Sequence, residues 1–117
     1  MAQWQQYSLD ITMYRNDTLD IDIAFTDVND ADVPASAFSS ARCQVRKSRG
    51  DTPVLTFLTS DGSMVLTDGN INLNKTTAST DIAGGKYIYD IEFTLVTTSQ
   101  VVTPIVGQWT INDDRTY

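Results

Sequence analysis

Four carboxylates stand at alternate positions in two apolar stretches of the chain, and they are the first candidates for chemistry. They form two pairs, Asp20 with Asp22 and Asp90 with Glu92. Glycoside hydrolysis uses two carboxyl groups that flank the scissile bond. Here each carboxylate alternates with apolar residues, so the solvated face of a β-sheet accounts for all four positions. We therefore predict no catalytic residues in these stretches.

Histidine and cysteine restrict the possible reactions further. The chain has no histidine and a single cysteine, Cys43. Catalytic triads that use histidine as the general base therefore cannot form within one chain. Cys43 alternates with Val45 on an apolar strand face, which predicts a buried structural thiol and not a nucleophile. The sequence indicates a protein that is not an enzyme, that needs no cofactor and that folds in a reducing cytoplasm.

An acidic loop is the one candidate for a metal site. Its oxygen-bearing residues are Asp27, Asn29, Asp30 and Asp32. The calcium loop of an EF-hand requires glycine at its sixth position and glutamate at its twelfth, where this chain has Asp32 and Phe38. Capped turns are the favoured interpretation and we predict no metal, with an irregular cation site in the Asp27–Asp32 loop left open.

The overall charge excludes several classes of partner. The net charge of −7 and the pI of about 4.2 argue against general binding to nucleic acid or to anionic membranes. The N-terminus lacks the pattern of a signal peptide, and no apolar run has the length of a membrane span. We expect neither a membrane nor a small-molecule substrate among the partners.

Half of the eight basic residues fall within one short stretch. They are Arg42, Arg46, Lys47 and Arg49. On an acidic protein this group predicts a surface that docks an acidic partner, which includes an acidic face of another copy. A charged edge strand that discourages aggregation explains the group equally well. The tripeptide Arg49-Gly50-Asp51, which integrins bind, is interpreted here as a β-turn.

Trp4 is the second interface candidate. It is a large apolar side chain close to the N-terminus, on a segment too short to bury it. Tryptophan is enriched at the centres of protein interfaces. We predict that Trp4 contacts another protein.

The elements that carry these residues are strands. The strongest signal is the alternation of Tyr87, Tyr89, Ile91, Phe93 and Leu95 with polar residues. The predicted strands cover 7–13, 19–25, 41–48, 54–58, 64–66, 71–73, 84–95 and 101–111. Residues 27–40 form a long connection, and residues 75–82 have room for one helical turn. The whole chain, residues 1–117, is predicted to be a single all-β domain: an antiparallel, immunoglobulin-like β-sandwich of about 7–9 short strands.

Glycine and proline predict local features of the sheet. Asp68-Gly69 is the better of two Asp-Gly hairpin signals, because it joins two alternating runs directly. Pro104 has no N–H to donate, so it belongs at an edge or an irregularity. Gly107 lies within the last strand and predicts a bulge there.

The stretch from Asp81 to Tyr89 resembles the approach to the sixth strand of immunoglobulin domains. In that family a tyrosine follows an acidic and small-residue turn and hydrogen-bonds back to its backbone. The resemblance implies that Tyr87 is this corner tyrosine, bonded within residues 81–84. Tyr89 then stands where antibody domains have a disulfide cysteine.

A second resemblance covers nearly the whole chain. It is carried by six segments: Arg15-Asn16-Asp17-Thr18-Leu19, Cys43-Gln44-Val45-Arg46, Val54-Leu55-Thr56-Phe57, Asp68-Gly69-Asn70-Ile71-Asn72-Leu73, Gly85-Lys86-Tyr87-Ile88-Tyr89-Asp90-Ile91 and Gly107-Gln108-Trp109-Thr110-Ile111. Together they are similar to small immunoglobulin-like virion proteins of tailed bacteriophages, including the N-terminal domain of upper baseplate proteins. The chain departs from that pattern at residues 35–38 and 113–116.

This resemblance implies a building block of the virion, assembled in the cytoplasm of the bacterial host. We expect an adaptor that joins tail, baseplate or fibre components through contacts with other virion proteins and with further copies of itself. A capsid decoration protein on the phage head is the alternative. A carbohydrate-binding module is a more distant one.

Overall fold

The described residues form nine strands, and helical structure among them is limited to one short turn. The structure is a computed structural model; it describes the backbone of residues 7–15, 17–26, 31–76 and 82–112, and the side chains of all of these except Tyr7 and Pro104. The strands are β1 (Tyr7–Ser8), β2 (Ile11–Tyr14), β3 (Leu19–Ala24), β4 (Phe38–Arg46), β5 (Leu55–Leu58), β6 (Met64–Thr67), β7 (Asn70–Lys75), β8 (Gly85–Leu95) and β9 (Val101–Asn112), with a 3₁₀ turn at Ala35–Ala37.

The strands form two sheets. The larger sheet has the order β1–β9–β8–β4–β5, with β2 also paired to β9, and the smaller sheet has the order β3–β7–β6. In immunoglobulin terms β3, β7 and β6 take the places of strands B, E and D, while β4, β8 and β9 take those of C, F and G. The all-β sandwich predicted from the sequence is confirmed.

Two strand pairings differ from the antiparallel sandwich that we predicted. The N-terminal strands β1 and β2 run parallel to β9, with Tyr7 opposite Ile105 and Ile11 opposite Trp109. All other strand pairs are antiparallel. The alternation of apolar residues identifies a strand but carries no information on its direction relative to its neighbours.

The core lies between the sheets and is rich in aromatic rings. Tyr87, Tyr89, Ile91 and Phe93 of β8 are buried, as their alternation predicts. Trp109 is fully buried and packs against two rings, Phe57 at 5.7 Å and Tyr89 at 5.4 Å between centroids. A second group of aromatic rings joins the sheets. The ring centroid of Phe93 lies 5.0 Å from that of Phe25, in a stacked arrangement, and 4.5 Å from that of Phe38, in a tilted one. Such rings bury large apolar areas, so they hold the two layers together.

The predicted Asp68-Gly69 hairpin is present. Thr67 pairs with Asn70, which leaves Asp68 and Gly69 as a two-residue turn between β6 and β7. Gly69 has a φ of 74°, in the left-handed region that favours glycine. The Asp68 carboxylate accepts a hydrogen bond from the backbone N–H of Ala35 at 3.0 Å, which ties the turn to the loop before β4.

The irregularity in β9 lies at Pro104 and not at Gly107. Ile91 pairs with Ile105 and Phe93 pairs with Val102, so β9 holds an extra residue in the stretch that contains Pro104. This agrees with the prediction for Pro104. Gly107 pairs in register with Tyr89, so the predicted bulge at Gly107 is wrong.

Gly107 has a different role, because the N-terminal strand passes directly over it. A Cβ at this position would overlap the Leu9 carbonyl oxygen, and that oxygen accepts a hydrogen bond from the Tyr89 hydroxyl. Between β1 and β2 the hydrogen bonds to β9 continue. The Leu9 N–H donates to the Val106 carbonyl at 3.0 Å, and the Asp10 carboxylate accepts from the Gln108 N–H at 3.2 Å. Glycine at position 107 therefore leaves space for the backbone that connects β1 and β2.

Tyr87 forms the hydrogen bond that the immunoglobulin resemblance implied. Its side chain is buried, and its hydroxyl donates to the Ala83 carbonyl at 2.6 Å, within the stretch that we named. The bond fixes the approach to β8. The possible helical turn within residues 75–82 falls mostly outside the described residues.

Candidate functional site

The outer face of the larger sheet brings together more of the predicted site residues than any other described surface. It is formed by the strand residues that alternate with the core. The charged and amide side chains of its two central columns are Arg42, Gln44 and Arg46 on β4 and Lys86, Asp90 and Glu92 on β8. The register places Arg42 beside Glu92, Gln44 beside Asp90 and Arg46 beside Ile88.

This placement corrects the interpretation of the basic residues as a charged edge strand. β4 pairs with β5 on one side and with β8 on the other, so it is an interior strand. Arg42 and Arg46 therefore lie near the middle of the face and do not protect an edge. Periodicity alone could not distinguish the two positions, because strand order depends on pairing between distant segments.

Both arginines have partners within the chain. Arg42 forms an ion pair with Glu92, and the two side chains are 46% and 29% exposed. Arg46 lies 4.0 Å from the Asp90 carboxylate and donates from Nε to the Asp51 carbonyl at 3.0 Å. Its Nη2 donates to the side-chain oxygen of Gln44. Ion pairs this exposed add little to stability, so the network chiefly arranges charge on the surface.

Asp90 is a partly buried carboxylate of the network, with its side chain 36% exposed against 29% for Glu92. Burial raises the pKa of its carboxyl group above the ordinary value, and the nearby Glu92 raises that pKa further. The guanidinium groups of Arg46 and Arg42 oppose this shift but do not cancel it. Asp90 is therefore a group that gains from an additional hydrogen-bond donor.

Two grooves lie on this face, one at each end of the charged network. The larger has a volume of about 560 Å³ and is lined by Arg46, Arg49, Gly50, Ile88, Asp90 and Val106, among others. The smaller, of about 380 Å³, is lined by Arg42, Leu58, Glu92, Thr94 and Val101, among others. Ile88, which is 41% exposed, gives the larger groove an apolar floor. Arginine beside exposed apolar surface is typical of protein interfaces.

Lys47 and Arg49 are separated from the two arginines of the face. The Lys47 ammonium lies 4.8 Å above the ring of Tyr87, an inward-facing residue. Arg49 is exposed in the β4–β5 turn, where Ser48 accepts a backbone hydrogen bond from Asp51 at 3.1 Å. The predicted basic group is thus divided, with Arg42, Arg46 and Arg49 on or beside the outer face and Lys47 directed away from it. Trp4 lies outside the described residues.

The other predicted carboxylate pair lies on the outer face of the smaller sheet, where asparagines are its partners. Asn72 donates to Asp20 at 2.7 Å and to Asp22 at 3.0 Å, and Asn70 donates to Asp22 at 3.1 Å. These bonds lower the pKa of the Asp22 carboxyl group, Asn72 having the larger effect. Sequence reasoning missed this network, although asparagine recurs at every second residue of β7.

The remaining candidates for chemistry that the structure describes, Cys43 and Asp32, are accounted for by packing. Cys43 is fully buried, and burial raises the pKa of its thiol well above the usual range. This agrees with the predicted structural thiol. In the acidic loop, Asp32 packs against Gly69, while Asp27, Asn29 and Asp30 lie outside the described residues. Within the described ranges, no group of three histidine, cysteine or acidic residues is arranged to hold a metal ion.

Comparison with known proteins gives a limited result. No protein-family model matches the chain, and no curated protein matches it. Among solved structures the chain is similar to CopC from Methylosinus trichosporium OB3b, at 10% identity and a TM-score of 0.48, with 98% of this chain and 90% of CopC covered. A likeness of this size carries no argument about function. No helix in the described part of the chain is long and apolar enough to span a membrane.

Proposed function

We propose that this protein is a non-enzymatic structural protein of a bacteriophage virion, an adaptor that joins tail, baseplate or fibre components through the outer face of its larger sheet. The observation that carries the proposal is the composition of that face. An arginine–carboxylate network occupies its middle, and a groove floored by the exposed Ile88 lies beside it. The resemblance to immunoglobulin-like virion proteins supplies the biological setting.

The chemistry of the face supports binding to a protein. Interfaces are enriched in arginine and are organised around a few central side chains that exclude water. Arg46 and Ile88 are neighbours across the strands, so a cation and an apolar side chain stand together at one end of the network, beside the larger groove. The two carboxylates of the face already pair with arginines, which suits a surface built for recognition.

The two alternatives named above differ in how they relate to this surface. A capsid decoration protein would use the same kind of contact at another place in the particle. Carbohydrate-binding surfaces rely on exposed aromatic rings. Among the described aromatic side chains only Tyr14 is exposed, at 46%, and it lies on β2, away from the central columns. We therefore develop the adaptor proposal.

The proposal is tested by disturbing the face without disturbing the fold. Virions are grown with the Ile88→Asp chain in place of the wild-type chain, and the amount incorporated is measured by quantitative mass spectrometry of purified particles. Val65→Asp is the matched control, because Val65 has nearly the same exposure, 44% against 41%, but lies in the smaller sheet. We expect incorporation of Ile88→Asp to fall at least about tenfold, the scale of one lost interface anchor, and that of Val65→Asp to stay unchanged.

Two results would overturn the proposal. One is absence of the wild-type chain from purified particles. The other is equal incorporation of the two variants, which would mean that the outer face of the larger sheet is not the attachment surface. Thermal unfolding of each purified variant shows whether it is folded before the particles are compared.

A further inference from the structure

We propose that the outer face of the larger sheet binds the same face of a second copy, related by a two-fold axis that runs between β4 and β8 and parallel to them. This inference rests on the proposed function and deepens it, because it names a second copy of the adaptor as the component that this face joins. The occupant is another copy of this chain, and the argument rests on the charges of the two central strand columns and on the area of the face.

The first step is the separation of charge between the columns. Along β4 the outward side chains are Arg42, Gln44 and Arg46, which are cations and an amide. The residues of β8 that lie beside them, in the same order, are Glu92, Asp90 and Ile88. Glu92 and Asp90 are anionic, and Ile88 is apolar. At these three heights one column therefore carries cations and an amide, while the neighbouring column carries two carboxylates and Ile88. The cation Lys86 of β8 lies one outward position beyond Ile88.

The second step is geometric. Rotation by half a turn about an axis that lies in the face, between the two columns and parallel to them, exchanges the columns and keeps each height. Each copy then lays its β4 column over the β8 column of the other. Arg42 meets Glu92 of the second copy, Gln44 meets Asp90, and Arg46 meets Ile88. Because the contact is isologous, every such pairing occurs twice.

The hydrogen bonds within one copy leave groups free for the other. Gln44 accepts from Arg46 through its side-chain oxygen, so its amide NH₂ is directed to donate elsewhere. Asp90, a partly exposed carboxylate, lies at the matching height on the opposite column. The methylene stem of Arg46 can cover Ile88, since long cationic side chains bury their stems on apolar surface.

The area of the face is sufficient for a stable contact. β8 has 11 residues, which corresponds to about 36 Å at the usual rise per residue. The five strand positions across the sheet span about 24 Å at the usual spacing. Because β5 and the N-terminal strands are short, the strand residues of the face offer roughly 650 Å² per copy at this rise and spacing, which lies within the range of a specific interface.

Contact through the smaller sheet is less favourable. Its outer face carries Asp20 and Asp22, both exposed, with asparagine amides as their donors. Two such faces would repel each other. Laying this face on the larger sheet of another copy would also place these aspartates near Asp90 and Glu92, since the acidic column forms half of that centre. Charge complementarity thus selects the two-fold contact between larger sheets.

The test is a charge exchange measured on the purified full-length chain by sedimentation equilibrium. The Arg42→Glu copy carries a carboxylate in both columns at this height, and the Glu92→Arg copy carries a cation in both. We expect each variant alone to dimerise at least about tenfold more weakly than wild type, because like charges face each other. An equimolar mixture is expected to form a mixed dimer with affinity close to that of wild type.

The mixed dimer distinguishes contacts between copies from contacts within one copy. Each variant lacks its own Arg42–Glu92 pair, both alone and in the mixture, so a recovery of affinity in the mixture must come from pairs between the copies. Asp20→Arg is the control for charge change, since it reverses one acidic residue on the other sheet; its dimerisation is expected to match wild type. Thermal unfolding of each variant verifies the fold.

Three results would overturn the inference: a wild-type chain that stays monomeric up to about 1 mM, the range of weak association; variants that dimerise as well as wild type; or assemblies larger than two copies that grow with concentration. Failure of dimerisation together with loss of Ile88→Asp from particles would leave the proposed function standing with a different partner. Dimerisation of the wild-type chain together with unchanged incorporation of Ile88→Asp would support the dimer and contradict the proposed function.

Discussion

The outer faces of the two sheets both place carboxylates at alternate strand positions, yet the two sets of carboxylates have different neighbours. On the larger sheet Asp90 and Glu92 lie beside arginines, and Asp90 is partly buried. On the smaller sheet Asp20 and Asp22 lie beside asparagine amides and are exposed. The same pattern in sequence thus produces a charged network on one face and an amide network on the other.

The contrast shows that the residues of the neighbouring, hydrogen-bonded strand determine the hydrogen-bond and ion-pair partners of carboxylates in an alternating acidic stretch. Hydrogen bonds from Asn72 and Asn70 lower the pKa of Asp22, because they stabilise its charged form. Burial and a like charge raise the pKa of Asp90, because they disfavour its charged form. One face therefore holds its aspartate charged, while the other holds a carboxylate that still lacks full solvation.

The sheets also differ in how they are joined to the rest of the chain. The smaller sheet is closed locally by the Asp68-Gly69 hairpin. The larger sheet gains its outermost strand from the N-terminus, which lies alongside β9 across Gly107. A local turn tolerates change more easily than a contact between segments far apart in sequence.

The largest effect should come from Gly107→Ala. The added Cβ would overlap the backbone of Leu9, which cannot move without breaking the pairing of β1 and β2 with β9. Overpacking against backbone is expected to lower the free energy of unfolding by about 3 kcal/mol or more. Urea unfolding measures the loss.

The control for that variant is Gly62→Ala, in the loop before the smaller sheet's β6. Gly62 has a φ of 84° but open space around it. Left-handed strain alone should cost roughly 1–2 kcal/mol. Equal losses in the two variants would show that the N-terminal strand is not held across Gly107.

An intermediate effect is expected for Tyr87→Phe. The variant keeps the buried ring and removes the hydroxyl that donates to Ala83 at 2.6 Å. The free energy of unfolding should fall by about 1 kcal/mol, the usual net contribution of a hydrogen bond. Tyr14→Phe, at an exposed tyrosine, should change it by less than about 0.5 kcal/mol. A Tyr87→Phe variant as stable as wild type would contradict the role of this bond in the larger sheet.

A smaller effect is expected from the ion pair between Arg42 and Glu92. A double-mutant cycle with Arg42→Ala and Glu92→Ala, followed by thermal unfolding, should give a coupling of about 0.2–1 kcal/mol that shrinks as salt is added. The equivalent cycle with Asp20→Ala and Asn72→Ala tests the smaller sheet, where the hydrogen bond carries one charge; its coupling should depend less on salt. Equal salt dependence would remove this distinction between the faces.

The smallest effects, and opposite in sign, are expected for Asp90→Asn and Asp22→Asn. Asp22 has a lowered folded-state pKa, so its stabilisation is present above the unfolded pKa of about 3.9 and is lost as pH falls through the folded value. Asp90 has a raised folded-state pKa, so its ionised carboxylate destabilises the fold. This destabilisation is complete above the folded-state pKa and disappears as pH falls below the unfolded-state pKa.

At neutral pH, therefore, Asp90→Asn should raise the Tm and Asp22→Asn should lower it, and both differences should shrink towards about pH 3. Each variant removes one negative charge, so the effect of net charge is shared and the difference between them reports the local environments. Thermal unfolding across this range measures both. Shifts of the same sign in the two variants would contradict the contrast between the faces.

The sequence by itself determined the features that depend on neighbouring residues. Alternation located the strands and the buried face of β8, since successive side chains of a strand point to opposite sides. Asp68-Gly69 indicated its hairpin because the turn requires positive φ. The bond from the Tyr87 hydroxyl spans only four residues, so a local motif was enough to predict it.

Only the tertiary structure decided which segments meet. The parallel pairing of the N-terminus with β9, the passage of Leu9 over Gly107, and the opposition of Asn72 to Asp20 and Asp22 join residues about 50 to 100 positions apart. The position of β4 inside its sheet, and hence the pairing of Arg42 with Glu92, belongs to the same class. Period-two alternation states which side of a strand is apolar, but the order, direction and register of strands are set by the packing of the whole core.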